Sequence, residues 1–159
     1  MKLDLKIYPA EILRQNAAEV RSPLSAGVQK FIRDMIDTVR AAEGVGLAAP
    51  QVGKSERIIV VNLEHLGLPA FALINPLVTD ASRKKELSEE GCLSIPGVFG
   101  MVSRPEKIRF QGTGINGKKI EADAEGLLAR VIQHEIDHIN GVLIIDKIKK
   151  YTKGKELIK

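Results

Sequence analysis

Cysteine is almost missing from this 159-residue chain: a single one, Cys92, rules out an intramolecular disulfide and fits a reducing compartment. Long apolar runs are missing too, since none approaches the roughly 18 residues of a membrane span. The N-terminal stretch carries Asp4 and Glu11 and lacks the apolar core of a secretion signal. There is no internal repeat and no low-complexity segment. A net charge of +4 permits an anionic partner without demanding one. The expectation is a cytoplasmic protein with no membrane partner. What is present, 44% apolar and 28% charged residues, is an ordinary globular composition, and the length suits one domain over residues 1–159.

Residues 1–24 read as an irregular arm, broken by Pro9 and Pro23 and anchored by Ile12 and Leu13. From Ser25 a helix is well signalled: Val28, Phe31, Ile32, Met35, Ile36 and Val39 recur at helical spacing, and Gly44 stops it. Residues 57–62 and 70–75 read as strands, 80–90 as a charged exposed stretch, and 98–103 as extended chain. Residues 107–111 alternate polar and apolar, and Asn116-Gly117 turns the chain into a second hairpin arm over 118–122. A second helix runs from about 124 to 140, and the end from Leu143 is short, lysine-rich and expected to be solvated. Strands in the middle and helices towards either end give an α+β class with mainly antiparallel sheet, organised around the second helix.

That helix holds two of the three histidines, within Gln133-His134-Glu135-Ile136-Asp137-His138. Residues on a helix turn by about 100° each, so His138 lies about 40° from His134 and Glu135 about 60° beyond His138. The arrangement suits two metal ligands with a base beside them, although so short a pattern also occurs with ordinary surface histidines. A hydrolytic metal site of this kind takes three protein ligands and keeps one position open. For the third, His65 sits in a polar loop and only Asp146 and Glu156 lie downstream as carboxylates. Cys92 is the best candidate, because a thiolate is a strong ligand for zinc or ferrous iron and Gly91 lets the backbone come close.

The stretch Ala48 to Ser55 imitates a phosphate-binding loop, but Pro50 has no N–H to offer a phosphate. Helix before and strand after is also the reverse of the order such a loop needs.

Three separated motifs stand here in order: Gly44-Val45-Gly46-Leu47-Ala48-Ala49-Pro50-Gln51, Glu90-Gly91-Cys92-Leu93-Ser94, and Gln133 to His138. On these, with Tyr8-Pro9 and Gly141-Val142-Leu143, the chain resembles the peptide deformylases over all but its last dozen residues. The resemblance implies an enzyme that removes the formyl group from the N-terminal formylmethionine of new polypeptides. It implies one divalent metal held by Cys92, His134 and His138, ferrous iron being the ion the family is known for. Zinc or another divalent ion suits the same donors.

Glu135 would then act as general base and acid, and Gln51 and the Leu93 N–H as donors to the formyl oxygen. Val45, Gly46 and Gly91 would present backbone groups to an extended peptide. Leu127 and Val131 fall within about 60° of His134 on the helical wheel and line an apolar pocket or simply join the core. Arg130, inside the apolar run, is expected at a solvated edge or on a peptide carboxyl. Glu90 and Arg104 are expected to pair either as support for the Cys92 segment or as a plain surface pair. Asp137 either steadies a ligand histidine or faces solvent. The basic tail, Lys147 to Lys155, suggests a ribosome contact. The rival functions are an HExxH metallopeptidase and a non-catalytic metal-binding module.

Overall fold

The computed structural model describes residues 1–158. Helix α1 (Ala26–Ala41) begins where the Ser25 side chain accepts the N–H of Val28, satisfying one of the donors left free at a helix start. Eight strands follow: β1 (Gly46–Ala48), β2 (Ile58–Val61), β3 (Phe71–Ala81), β4 (Lys85–Cys92), β5 (Ile95–Pro105), β6 (Lys107–Thr113), β7 (Lys119–Glu125) and β8 (Ile148–Lys153). Helix α2 (Gly126–Ile139) lies between β7 and β8. The strands form a five-stranded sheet in the order β1-β2-β3-β6-β7 and a three-stranded one in the order β4-β5-β8, and every pairing between them is antiparallel.

The five-stranded sheet is covered on both faces, which is why β2 reads as a continuous apolar run. Ile59 and Val61 face α2 and join Ala129, Val131, Ile132 and Ile139 in one core. Ile58 and Val60 face the other way, onto Phe31, Ile32, Met35 and Val39 of α1. A third cluster, built on Leu13, Ile95, Val98, Leu143 and Ile144, lies under the smaller sheet and receives the N-terminal arm.

Two expectations need correction. The charged stretch at 80–90 is mostly strand: β4 is an edge strand, so its outward side chains stay solvated while its backbone pairs with β5. The lysine-rich end is not a loose tail, because β8 pairs with β5 and places Ile148 and Tyr151 against the third cluster. Its lysines point outward while Ile148 and Tyr151, three residues apart across an irregularity in the pairing, pack inward, which composition alone cannot reveal.

Candidate active site

The three motifs meet at one place. Helix α2 carries His134 and His138 on one face, and the end of β4 delivers Cys92 to them. The Cys92 sulfur is 3.3 Å from His138 Nε2, and the two Nε2 atoms are 3.2 Å apart. All three donor atoms lie within 4.8 Å of one another. The set suits a divalent ion chemically: one sulfur, two imidazoles, and a carboxylate that fixes His134 from behind by accepting from Nδ1 at 2.9 Å, so that Nε2 faces the cluster. His65, in contrast, lies exposed in a short turn outside the cluster.

Glu135 is buried beside this group, with Oε1 lacking any partner among the described residues and Oε2 4.0 Å from His134 Nε2. Burial pushes its carboxyl up to about 7 against the opposing pull of His134. Burial also lowers His138, helped by charge on His134. His134 moves the other way: burial alone would lower it, but Glu135, Cys92 and Glu90 raise it well above its usual value.

The turn after β1 supplies Gln51. Its Oε1 accepts the Ala48 N–H at 2.9 Å, which turns the amide nitrogen towards Ser94 Oγ at 3.1 Å and Cys92 Sγ at 3.6 Å. Leu93 sits with Ser94 in the tight turn between β4 and β5.

The sequence profile of the polypeptide deformylases matches residues 2–154 of this chain. The chain belongs to that family. The peptide deformylase of Thermodesulfovibrio yellowstonii is 49% identical over 148 residues, covering 92% of this chain and 88% of the other. The crystal structure of peptide deformylase from Thermotoga maritima, 39% identical, superposes with a TM-score of 0.89 over 94% of this chain and 99% of that one. A peptide deformylase from Synechococcus elongatus in complex with actinonin, 44% identical, gives 0.88 over 93% of this chain and 79% of that one.

In this deformylase a cavity of about 470 Å³ opens at the cluster, walled by Val45, Gly46, Gly91, Leu93, Leu127 and Val131 among others. Val131 is 3% exposed and serves core and cavity at once, whereas Leu127, 43% exposed, belongs to the cavity mouth rather than the core. The protein itself has a use for the two glycines. A Cβ on Gly46 would lie 2.6 Å from Glu135 Oε2 and 2.9 Å from Val131 Cγ1, and one on Gly91 would press into the Phe99 ring. Both glycines make room for the protein's own side chains, whatever they spare a substrate.

Arg130 departs from both expectations held for it. It is buried, donating to Glu90 Oε2 at 2.6 Å and to the carbonyls of Val102 and Glu86 at 3.0 and 2.7 Å. Arg130 also lines the cavity. Glu90 is the hub of this network, taking a two-pronged contact from Arg104 at 2.6 and 2.9 Å as well as the bonds from Arg130 and His134. Its pairing with Arg104 is therefore buried and not superficial. Burial alone would raise the Glu90 carboxyl, but the bonds from His134 and Arg104 outweigh it and hold the group far below the usual carboxylate range. Asp137 neither touches a histidine nor faces solvent freely; it accepts from Arg104 at 2.8 Å and pairs with Lys147 at 3.2 Å. The signal for Arg130 was its place in an apolar helix, where a cation must find a carboxylate, but Glu90 is 40 residues away in sequence.

Proposed function

We propose that this metal-dependent hydrolase removes the N-formyl group from the N-terminal formylmethionine of new polypeptides, with Cys92, His134 and His138 holding one divalent ion and Glu135 moving the proton. The observation that carries these assignments is the convergence of the three donor atoms within 4.8 Å beside a buried carboxylate with an unpartnered oxygen. The family's ion is divalent, and when bound it lowers the pKa of an attacking water and polarises the formyl oxygen. Iron(II) is the physiological ion we propose, zinc serving in purified protein; metal analysis of protein prepared without air, with activity measured on a formylated peptide, tests this.

The chain's own residues do the rest. Glu135 accepts the proton of the attacking water and returns it to the departing amine nitrogen, a role that its burial beside the cluster with an unpartnered Oε1 suits. The Gln51 amide and the Leu93 N–H donate to the formyl oxygen as negative charge builds on it. The strands β1 and β4 are each the outer strand of their sheet and both border the cavity, so an extended peptide can pair with backbone at Val45, Gly46 and Gly91. Leu127 and Val131 offer apolar walls that suit an unbranched methionine side chain.

We further propose that residues 1–159 act as one catalytic domain in the cytoplasm, and that the outward lysines of β8 meet ribosomal RNA or protein. Ribosome binding that is absent or insensitive to salt refutes that contact. The test of the central reading is Glu135→Ala. It retains the ion and loses about 10²–10⁴ in turnover; equal activity with verified metal content overturns the assignment.

A further inference from the structure

We infer that Ser94 is a positioning residue for the reaction, setting the orientation of the Gln51 amide through its hydroxyl. This rests on the assignment of Gln51 as a donor to the formyl oxygen. Ser94 is fully buried, with no exposed surface, so its hydroxyl is shielded from bulk solvent. Its Oγ accepts one hydrogen of the Gln51 amide at 3.1 Å. The Ala48 N–H can only donate, so the Gln51 oxygen must face it, and the nitrogen end is left to turn towards Ser94. With one of its two hydrogens taken by Ser94, the other is directed at the Cys92 side, where the sulfur lies 3.6 Å away. That second hydrogen is the one available to a developing oxyanion.

The backbone supports the same arrangement. The N-terminal arm donates from Lys6 N–H to the Gln51 carbonyl at 2.7 Å and from Tyr8 N–H to the Ser94 carbonyl at 2.8 Å. Two arm residues thus strap together the two segments whose side chains meet in the Gln51–Ser94 bond. Without the hydroxyl, the amide keeps its anchor at Ala48 but loses the contact that settles the twist of its nitrogen end.

The experiment is a double-mutant cycle of Ser94→Ala and Gln51→Ala in the metal-loaded enzyme, reading kcat, KM and metal content on a formylmethionyl peptide. It is joined by the Gln51 side-chain amide resonances in the zinc-loaded protein, assigned by their loss in Q51A. Ser94→Ala alone should lower kcat about tenfold with KM and metal content little changed, as loss of a supporting hydrogen bond does. In the Q51A background the same change should cost less than about twofold, because the group it positions has gone. The Gln51 amide pair should shift or broaden in S94A. An S94A enzyme with unchanged kcat and unmoved amide resonances overturns the inference, as does an equal loss in the Q51A background. If S94A does not fold, S94C, which keeps a polar γ atom but offers only a larger, weakly accepting sulfur, carries the same expectation at smaller size. Full activity in Q51A alone would instead refute the role of Gln51, a result separable from any failure of the Ser94 coupling.

Discussion

Replacing Glu90 by glutamine keeps the shape of the side chain and removes its charge, and the consequences can be worked out atom by atom. Oε1 serves Arg104 Nη2 and His134 Nδ1; Oε2 serves Arg104 Nε and Arg130 Nη1. With its NH2 at the Oε2 position the glutamine amide meets two N–H donors and satisfies neither; at the Oε1 position it opposes Arg104 Nη2 and is accepted only by His134 Nδ1 in its other tautomer. Arg104 keeps Asp137, but Arg130 is left with carbonyl partners only. Breaking a buried pair by removing one partner costs about 3–5 kcal/mol, a large share of the roughly 5–15 kcal/mol that holds a domain folded. At roughly 2–4 °C per kcal/mol for a chain of this size, the melting temperature should fall by about 6–20 °C. In the second placement His134 loses the acceptor that holds its Nε2 towards the cluster, and metal affinity should drop by about 10–100-fold. The assays are thermal unfolding of metal-free protein and competition for the ion against a chelator. The double variant E90Q/R130M, which also removes the stranded charge, should recover part of the lost stability. The pH dependence has a definite sign. Glu90 is depressed in the folded state, so its contribution is complete above the unfolded value of about 4.3 and is lost as the pH falls below it. The wild type should therefore lose stability in acid more steeply than E90Q. Unfolding of E90Q within about 1 kcal/mol of wild type, with unchanged metal affinity, would refute the view of Glu90 as the hub.

Gly46→Ala should leave the fold in place and cut turnover by about 10²-fold, because the new methyl lies where Glu135 and Val131 now sit and displaces the carboxylate; activity near wild type would show that the two can yield without cost. Metal affinity should rise with pH around neutrality. In the ion-free protein His134 is raised well above its ordinary value and must lose its proton to bind, which gives about tenfold per pH unit for each proton displaced. Chelator competition between about pH 6 and 8 measures this, and a flat profile contradicts it. Removing residues 147–159 should lower stability by about 3 kcal/mol, since Ile148 and Tyr151 lose their packing. A freely solvated tail would leave the melting curve where it is.

What the sequence makes readable is what depends on spacing along one element. The two histidines of α2 face one way because residues four apart on a helix do so, and the strands with alternating or fully apolar residues sit where those patterns indicate. What stays hidden depends on which element lies opposite. The charges of β4 look like a solvated loop because four of its eight side chains are indeed exposed, and nothing local separates Glu90, which is buried, from Glu89, which is not. Lys150 and Lys153 likewise announce a surface, but not the strand β5 to which their backbone is paired. The glycines are the sharpest case. Gly46 can be recognised as a place where bulk is refused, yet the atom that refuses it belongs to Glu135, on another element and 89 positions later. The motif around Gly46 and the motif around Glu135 are therefore one constraint seen twice: the Glu135 carboxylate fits beside His134 only where β1 has given up its side chain. A variant that enlarges Gly46 should be partly relieved by shortening Glu135 to aspartate in its packing, though not in its proton transfer, so that stability recovers while turnover does not.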